Sequence, residues 1–313
     1  MSARCSLVVN GKSVRVATGD TLLEDALADG VIAPTQALHG AALLGQGAAP
    51  SVRRVPGRER RAEAVRLDPV PAPPRLAQGE PDAHPSVAKR SGSITQMTRL
   101  CPGIVEAVVT LVKPLDYEPG HQVELSAGGP PVSVTPTLRV DGSGELNELV
   151  LHLACEAGVF VGSLADTLQL GQPVTVKGPV GRGHYRRSGG RLVLVADEAG
   201  FAGIWAIARA ARYIEPMRDL CLVVGARDPL DLYMHEALDW LKATGVRQIV
   251  KVADRHRQRP PDVRPGPLTA HIPMLRANDA VHVSGRAATV GAVEVLAGAV
   301  GARCHPIPLD PNA

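Results

Sequence analysis

Leu192–Arg212, LVLVADEAGFAGIWAIARAAR, is the stretch whose reading decides the fold. Leu192–Ala196 is a continuous apolar run, as expected of a parallel strand covered on both faces. Ala202–Ala211 is apolar at helical spacing, which turns Arg209 and Arg212 outward. Between them lie Asp197, Glu198, Ala199 and Gly200. A strand, a short turn and a helix start form the niche that seats a pyrophosphate, because free backbone N–H groups and the helix dipole attract anions. Here two carboxylates stand in that niche. A carboxylate within ~4 Å of a phosphate costs about 1–4 kcal/mol at dielectrics between water and protein surface. Asp197 and Glu198 therefore read as capping groups on a helix start whose usual ligand is disfavoured.

Working outward, strands and helices alternate from Arg191 to the end. Leu192–Ala196 leads to a helix over 202–213, Leu220–Gly225 to a helix over 229–243, Arg247–Val252 follows, and Ala280–Ser284 leads to a helix over 287–300. That rhythm predicts a doubly wound parallel sheet over residues 187–313. Four prolines between 254 and 268 predict a loop over one sheet edge. Upstream, residues 95–186 read as β throughout, with Pro and Gly turns and one helical candidate at Ser163–Leu168, which suits a small antiparallel barrel. Residues 47–94 hold clustered prolines and the arginine-rich run Arg53–Arg66 with interleaved acids, and read as an extended linker. Within residues 1–46, Ser6–Val9 and Ser13–Ala17 flank Asn10-Gly11, a strong hairpin signal. Thr21 and Glu24 then form a capping box closed by Gly30, so a β-grasp arm is predicted.

The chain has 313 residues, 45% hydrophobic but only 3% aromatic, with a net charge of +3 from 34 basic and 31 acidic side chains. Few rings and near-balanced charge argue against a nucleic-acid partner. Five scattered cysteines without a CxxC pair fit reduced thiols. No apolar run approaches membrane-spanning length and the N-terminus lacks a signal-peptide core, so a cytoplasmic protein without membrane contact is expected. The ten histidines show no HExxH or HxH spacing, and no metal site is expected from them.

A β-grasp arm, a β-barrel and an α/β domain, in that order, resemble the ferredoxin–NAD(P)H reductase-like flavoprotein reductases. That family includes the reductase components of bacterial oxygenases and the CDP-6-deoxyglucoseen reductase type. The local matches are GPVG at Gly178–Gly181, GARDPLDLYMHEAL at Gly225–Leu238, and the strand–turn–helix at Leu192–Arg212. The resemblance implies a plant-type [2Fe–2S] domain, an FAD barrel and an NAD(P)H domain passing electrons in series.

Residue by residue, the match is partial. A plant-type cluster needs four thiolates, and Ala33–Pro50 contains no cysteine, so no [2Fe–2S] cluster is expected. Aligned on Gly120-His121-Gln122, the family's flavin motif of arginine, tyrosine and serine reads Pro130, Val132 and Ser133. Loss of the arginine removes a phosphate contact of about 1.5–3 kcal/mol. The family's pyrophosphate segment maps on Gly158–Leu168, where Gly158 and Ser163 are the candidate contacts. With Gly178 and Gly181 these leave FAD as a possible cofactor. The glycine-rich nucleotide turn keeps Gly200, and the family's late Cys-Gly-Pro motif reads Ser284, Gly285 and Arg286. Gly225, Arg227, Gly285 and Arg286 are the nucleotide candidates, with Arg227 and Arg286 as rescuers of anion binding, and NAD(P)H binding is doubtful. Two functions are expected. The first is a reductase-shaped scaffold, non-catalytic or flavin-only, serving as accessory partner to an oxygenase, ferredoxin or regulator. The alternative is a working FAD-dependent NAD(P)H oxidoreductase lacking an iron–sulfur relay.

Overall fold

A computed structural model describes residues 4–9, 12–17, 85–155, 164–254 and 260–310. Strands β1 (Arg4–Val9) and β2 (Lys12–Ala17) pair antiparallel with Val9 opposite Lys12, which leaves the two residues Asn10-Gly11 for the turn. The predicted helix after Thr21, the cysteine-free stretch Ala33–Pro50, and Gly158 and Ser163 lie outside the described residues.

The second unit is built on β3 (Ala88–Cys101), β4 (Ile104–Leu111), β5 (Gln122–Ser126), β6 (Val132–Val134), β7 (Pro136–Thr137), β9 (Glu148–Ala154) and β10 (Pro173–Val180). These make one seven-stranded antiparallel sheet in the order β6-β5-β10-β3-β4-β9-β7. β3 starts at Ala88, inside the stretch read as linker. It pairs with β10 through its first half and β4 through the rest, with two register shifts that bend it around the core. The short β8 (Ser143–Gly144) instead pairs with β2, tying the N-terminal hairpin to this unit. Alternate residues of β5 and β9, among them Val123, Leu125, Leu149, Leu151 and Leu153, fill the interior with α1 (Leu164–Thr167) against them.

The third unit follows the predicted rhythm. Its parallel sheet runs β14-β13-β12-β11-β15-β16, formed by β11 (Leu192–Asp197), β12 (Leu220–Ala226), β13 (Gln248–Ala253), β14 (Val263–Pro265), β15 (Ala280–Gly285) and β16 (Arg303–Pro308). Every residue of β11 and β12 is buried, which is why both read as unbroken apolar runs. The proline-rich loop contributes β14, an edge strand where missing N–H donors cost nothing on the open side. Helices α2 (Phe201–Ile214), α3 (His235–Ala243) and α4 (Ala287–Val300) cover the faces. The helix expected over 229–243 is broken. A 3₁₀ turn holds Pro229–Asp231, Met234 takes a left-handed φ of 57°, and α3 begins only at His235.

The two larger units share a core, in which Ile104 and Leu138 of the barrel join Phe201, Ile204 and Trp205 of α2. This joint overturns the outward placement of Arg209, which is 3% exposed. Its guanidinium donates to Val140 O and Asp141 O at 3.4 and 3.0 Å and lies over the rings of Trp205, Tyr213 and Trp240. Arg212 likewise turns back, donating to Arg218 O and Thr244 O. Helical spacing shows which face is charged, but not that a second domain covers that face. No helix among the described residues is long and apolar enough to cross a membrane.

Candidate functional site

The parallel sheet runs outward from β11 through β12 and β13 to β14, and then returns to place β15 on the other side of β11. The strand order therefore reverses between β11 and β15. In such sheets ligands bind outside the carboxyl ends of the strands at this switch point. Asp197 ends β11, Arg227 follows β12, and Gly285 and Arg286 end β15, so the sequence candidates Gly200, Arg227, Gly285 and Arg286 do converge there.

Glycine is required at two of these positions. A Cβ on Gly200 would lie 2.3 Å from Ser284 O, and one on Gly285, at φ +153°, would lie 2.4 Å from the Asp197 Cβ. The turn after β11 is thus pressed onto the end of β15. Gly225 serves packing instead, since its Cα faces Leu268 at a distance that leaves no room for a methyl group.

The acidic pair does not cap the helix. Asp197 and Gly200 head the 3₁₀ turn and α2 respectively, and neither makes a side-chain cap hydrogen bond. The Asp197 carboxylate, 2% exposed, turns across to β15. It accepts from Arg286 Nε at 2.8 Å, Arg286 Nη2 at 3.0 Å and Thr289 Oγ1 at 2.7 Å. Its Asp197 hydrogen bonds hold the Arg286 guanidinium protonated well beyond the usual arginine range. The expected rescuer of anion binding is therefore already committed to a buried carboxylate. It also faces Glu198 Oε1 at 3.6 Å and Asp254 Oδ2 at 3.7 Å, while Arg227 Nε lies 3.9 Å from the same Glu198 oxygen. Glu198 sits at φ +53°, a left-handed conformation that glycine adopts freely. Burial pushes its carboxyl above the ordinary range, against the opposing pull of Arg286. Thr289 and Asp254 escaped the sequence reading. Thr289 stands one turn after Arg286, and its hydroxyl gives no sign of its target until the two strand ends are adjacent.

On the barrel side, Ser133 lies in β6 opposite Glu124. Its backbone N–H donates to Asp310 Oδ2 at 3.1 Å, a partner that comes from the far end of the chain. The tail is tied down at two further points, with Leu309 N–H donating to Gly285 O at 2.9 Å and Gln122 Nε2 to Pro308 O at 3.0 Å. The tail therefore runs from the switch point to the barrel edge. Val132, at the family's tyrosine position, is a core residue 7% exposed, and Pro130 is exposed. Gly178 packs on Val123 in β10 and Gly181 follows that strand beside Gln122. Two buried hydroxyl oxygens have no hydrogen-bond partner among the described residues, Thr135 Oγ1 just beyond β6 and Ser284 Oγ at the end of β15. Thr135 touches Gly203 in the first turn of α2, and the Ser284 backbone touches Gly200 immediately before it. Buried hydroxyls without partners cost free energy unless a ligand completes them. Both lie where the edge of the barrel meets the start of α2 at the switch point.

No family model matches the chain. Among curated proteins it is 24% identical over 263 residues to the reductase component DmpP of phenol 2-monooxygenase from Pseudomonas sp. (strain CF600), covering 78% of this chain and 73% of that one. It is 27% identical over 245 residues to the reductase subunit of aromatic O-demethylase from Amycolatopsis sp. (strain ATCC 39116 / 75iv2), covering 72% and 73%. Among solved structures it superposes on the Amycolatopsis cytochrome P450 reductase GcoB with a TM-score of 0.63 at 24% identity, over 73% of this chain and 72% of that one. It also superposes on the FAD/NAD-binding domain of nitric oxide dioxygenase from Vibrio cholerae O1 biovar El Tor with a TM-score of 0.60 at 14% identity, over 71% and 99%. These structural likenesses establish the fold, an FAD-type barrel joined to an NAD-type α/β domain. The two sequence matches, each spanning more than 70% of both partners, are likewise to reductase components of oxygenase systems, so what this chain resembles in both sequence and fold is the ferredoxin reductase-like flavoprotein reductases.

Proposed function

We propose that this protein is an FAD-dependent NAD(P)H oxidoreductase that supplies electrons as the reductase component of an oxygenase system. The observation that carries this reading is the pair of sequence matches to oxygenase reductase components over nearly three quarters of their length. It replaces the accessory-scaffold expectation, which rested on departures from the family pattern at the cluster, flavin and nucleotide sites together, the acidic turn after β11 among them. Arg286 and Thr289 neutralise and bind Asp197, so the buried carboxylate does not face a ligand unpaired.

FAD, when bound, takes up two electrons as a hydride and passes them on singly. In this reading Ser133 and Thr135 on the barrel edge, Gly178 and Gly181 on β10, and the segment with Gly158 and Ser163 hold the flavin. Gly200 and Gly285 let the turn after β11 and the end of β15 come together where the dinucleotide would lie, Arg286 holds that turn through Asp197, and Arg227, with its half-exposed side chain, meets the ribose or its phosphate. Ser284, buried at the switch point, offers its hydroxyl between the two. The partner is a redox protein that accepts single electrons. The arm, linker, barrel and α/β divisions at 1–46, 47–94, 95–186 and 187–313 belong to the same proposal.

The test is the visible spectrum of the full chain with added FAD, followed by anaerobic NADH or NADPH, with iron and acid-labile sulfide measured on the same sample. Stoichiometric flavin that bleaches with either nucleotide is expected. Protein that takes up no FAD would restore the accessory reading, for which the Asp310 carboxylate on the Ser133 amide is the one favouring contact.

A further inference from the structure

The turn Glu118–His121 and the connector Gly183–Tyr185, which carries the chain from the barrel toward β11, meet at the joint between the two large units. Tyr185 N–H donates to Pro119 O at 2.8 Å. Gly120 approaches the Gly183 carbonyl so closely that a Cβ would lie 2.8 Å from it. On this joint Glu118, His121 and His184 each bring one ligand atom to within 4.8 Å of the other two. None of the three belongs to the flavin or nucleotide residues named above.

The histidines are each 4% exposed, and their rings stack with centroids 4.3 Å apart and planes 30° from parallel. Glu118 differs, since its side chain is 46% exposed, and its Oε2 lies 3.7 Å from His184 Nε2. We propose that Glu118, His121 and His184 bind one divalent transition-metal cation of the Zn²⁺ class. Two imidazoles and a carboxylate are a donor set that such borderline cations accept, and hard cations such as Mg²⁺ and Ca²⁺ prefer oxygen alone. With metal–donor bonds of about 2.0–2.2 Å, tetrahedral neighbours stand roughly 3.4 Å apart. The His184–Glu118 pair needs a closure of only a few tenths of an ångström to reach that spacing. The third donor moves further, and His121 gives up something to do so. Its Nδ1 accepts the Glu118 N–H at 3.0 Å in the metal-free chain, so loading exchanges that hydrogen bond for a metal–nitrogen bond.

The surroundings hold the connector ready. His282 Nδ1 lies 2.9 Å from Gly183 O, the carbonyl immediately before His184, and His282 is wholly buried. This contact anchors the backbone of the connector from the sheet side, one residue before His184. Three protein donors leave a fourth position, which opens on the exposed Glu118 side to water. The bound ion links the barrel turn to the inter-domain connector, so its first consequence is a stiffer joint between the units.

The test uses the full-length, tag-free protein stripped with chelator. Co²⁺ is titrated while its visible ligand-field bands are followed on the long-wavelength side of any flavin absorption, and Zn²⁺ is then added in competition. One Co²⁺ per chain is expected, with bands that Zn²⁺ abolishes and a melting temperature that rises on Zn²⁺ addition. Glu118→Gln leaves the fold intact, because the side chain is half in solvent, and lowers the affinity at least tenfold. His184→Gln and His121→Gln abolish the bands. Absence of saturable binding overturns the proposal, and so does equal affinity in the wild type, Glu118→Gln and His121→Gln. The second result would mark the bound ion as adventitious.

Discussion

Replacing Arg286 with alanine removes the forked donor from a carboxylate that has almost no contact with water. Asp197 is 2% exposed and would keep only the Thr289 hydroxyl at 2.7 Å. Breaking a buried ion pair by deleting one partner costs about 3–5 kcal/mol, because the other charge stays behind uncompensated. The Arg286 side chain is 38% exposed, so solvent already screens part of the pair. The discounted cost is about 2–3 kcal/mol, which lowers the melting temperature of a chain this size by roughly 3–5 °C. The assay is thermal unfolding of Arg286→Ala, Asp197→Asn and the double variant. Asp197→Asn is the milder single change, since it strands a partly solvated guanidinium instead of a buried carboxylate. The double variant recovers at least ~1 kcal/mol relative to the sum of the singles, the coupling expected of direct partners. An Arg286→Ala melt within about 1 °C of wild type would refute the reasoning, as would strict additivity in the double variant. Either result would mean that Asp197 is hydrated in solution and again opposes a phosphate.

Glu198→Gly relieves the left-handed backbone at φ +53° and raises stability by about 1 kcal/mol, read by denaturant unfolding. Glu198→Gln isolates the charge. Because burial raises the folded-state carboxyl above its unfolded value, ionisation there opposes folding. The glutamine variant is therefore more stable than wild type at neutral pH, and the gap closes as pH falls below the ordinary glutamate range. Arg209→Ala removes two carbonyl hydrogen bonds and the contact with three rings, costing about 2–4 kcal/mol. Arg209→Lys fails to restore it, because an ammonium cannot stack and fork at once. Asp310→Ala releases the Ser133 N–H, and FAD titration followed by fluorescence quenching should then show tighter binding. Unchanged affinity would remove the tail from the flavin site.

Much of the nucleotide-type unit was legible because its physics is local. An apolar run buried on both faces reads as a parallel strand wherever it occurs, and β11, β12 and β15 lie within a residue of their expected bounds. The helix over 229–243 was misread because Tyr233 and Met234 carry apolar side chains at helical spacing. The left-handed backbone at Met234 is a tertiary compromise that periodicity does not encode. Arg209 was misplaced for a related reason, since its cover comes from residues 140 and 141 of another unit.

By itself the sequence determined the β-rich stretch followed by alternating strands and helices, and with them a parallel doubly wound sheet. These follow from residue type and short-range spacing. Only the tertiary structure decided what the acidic turn does. Asp197 and Arg286 are 89 residues apart and meet because β15 returns to lie beside β11. Asp310 reaches Ser133 across 177 residues because the tail after β16 crosses from the parallel sheet to the barrel edge. A charge read alone in its own segment looks like an obstacle to a ligand. Its effect depends on the countercharge that chain folding places against it, and at these separations no local pattern names that partner.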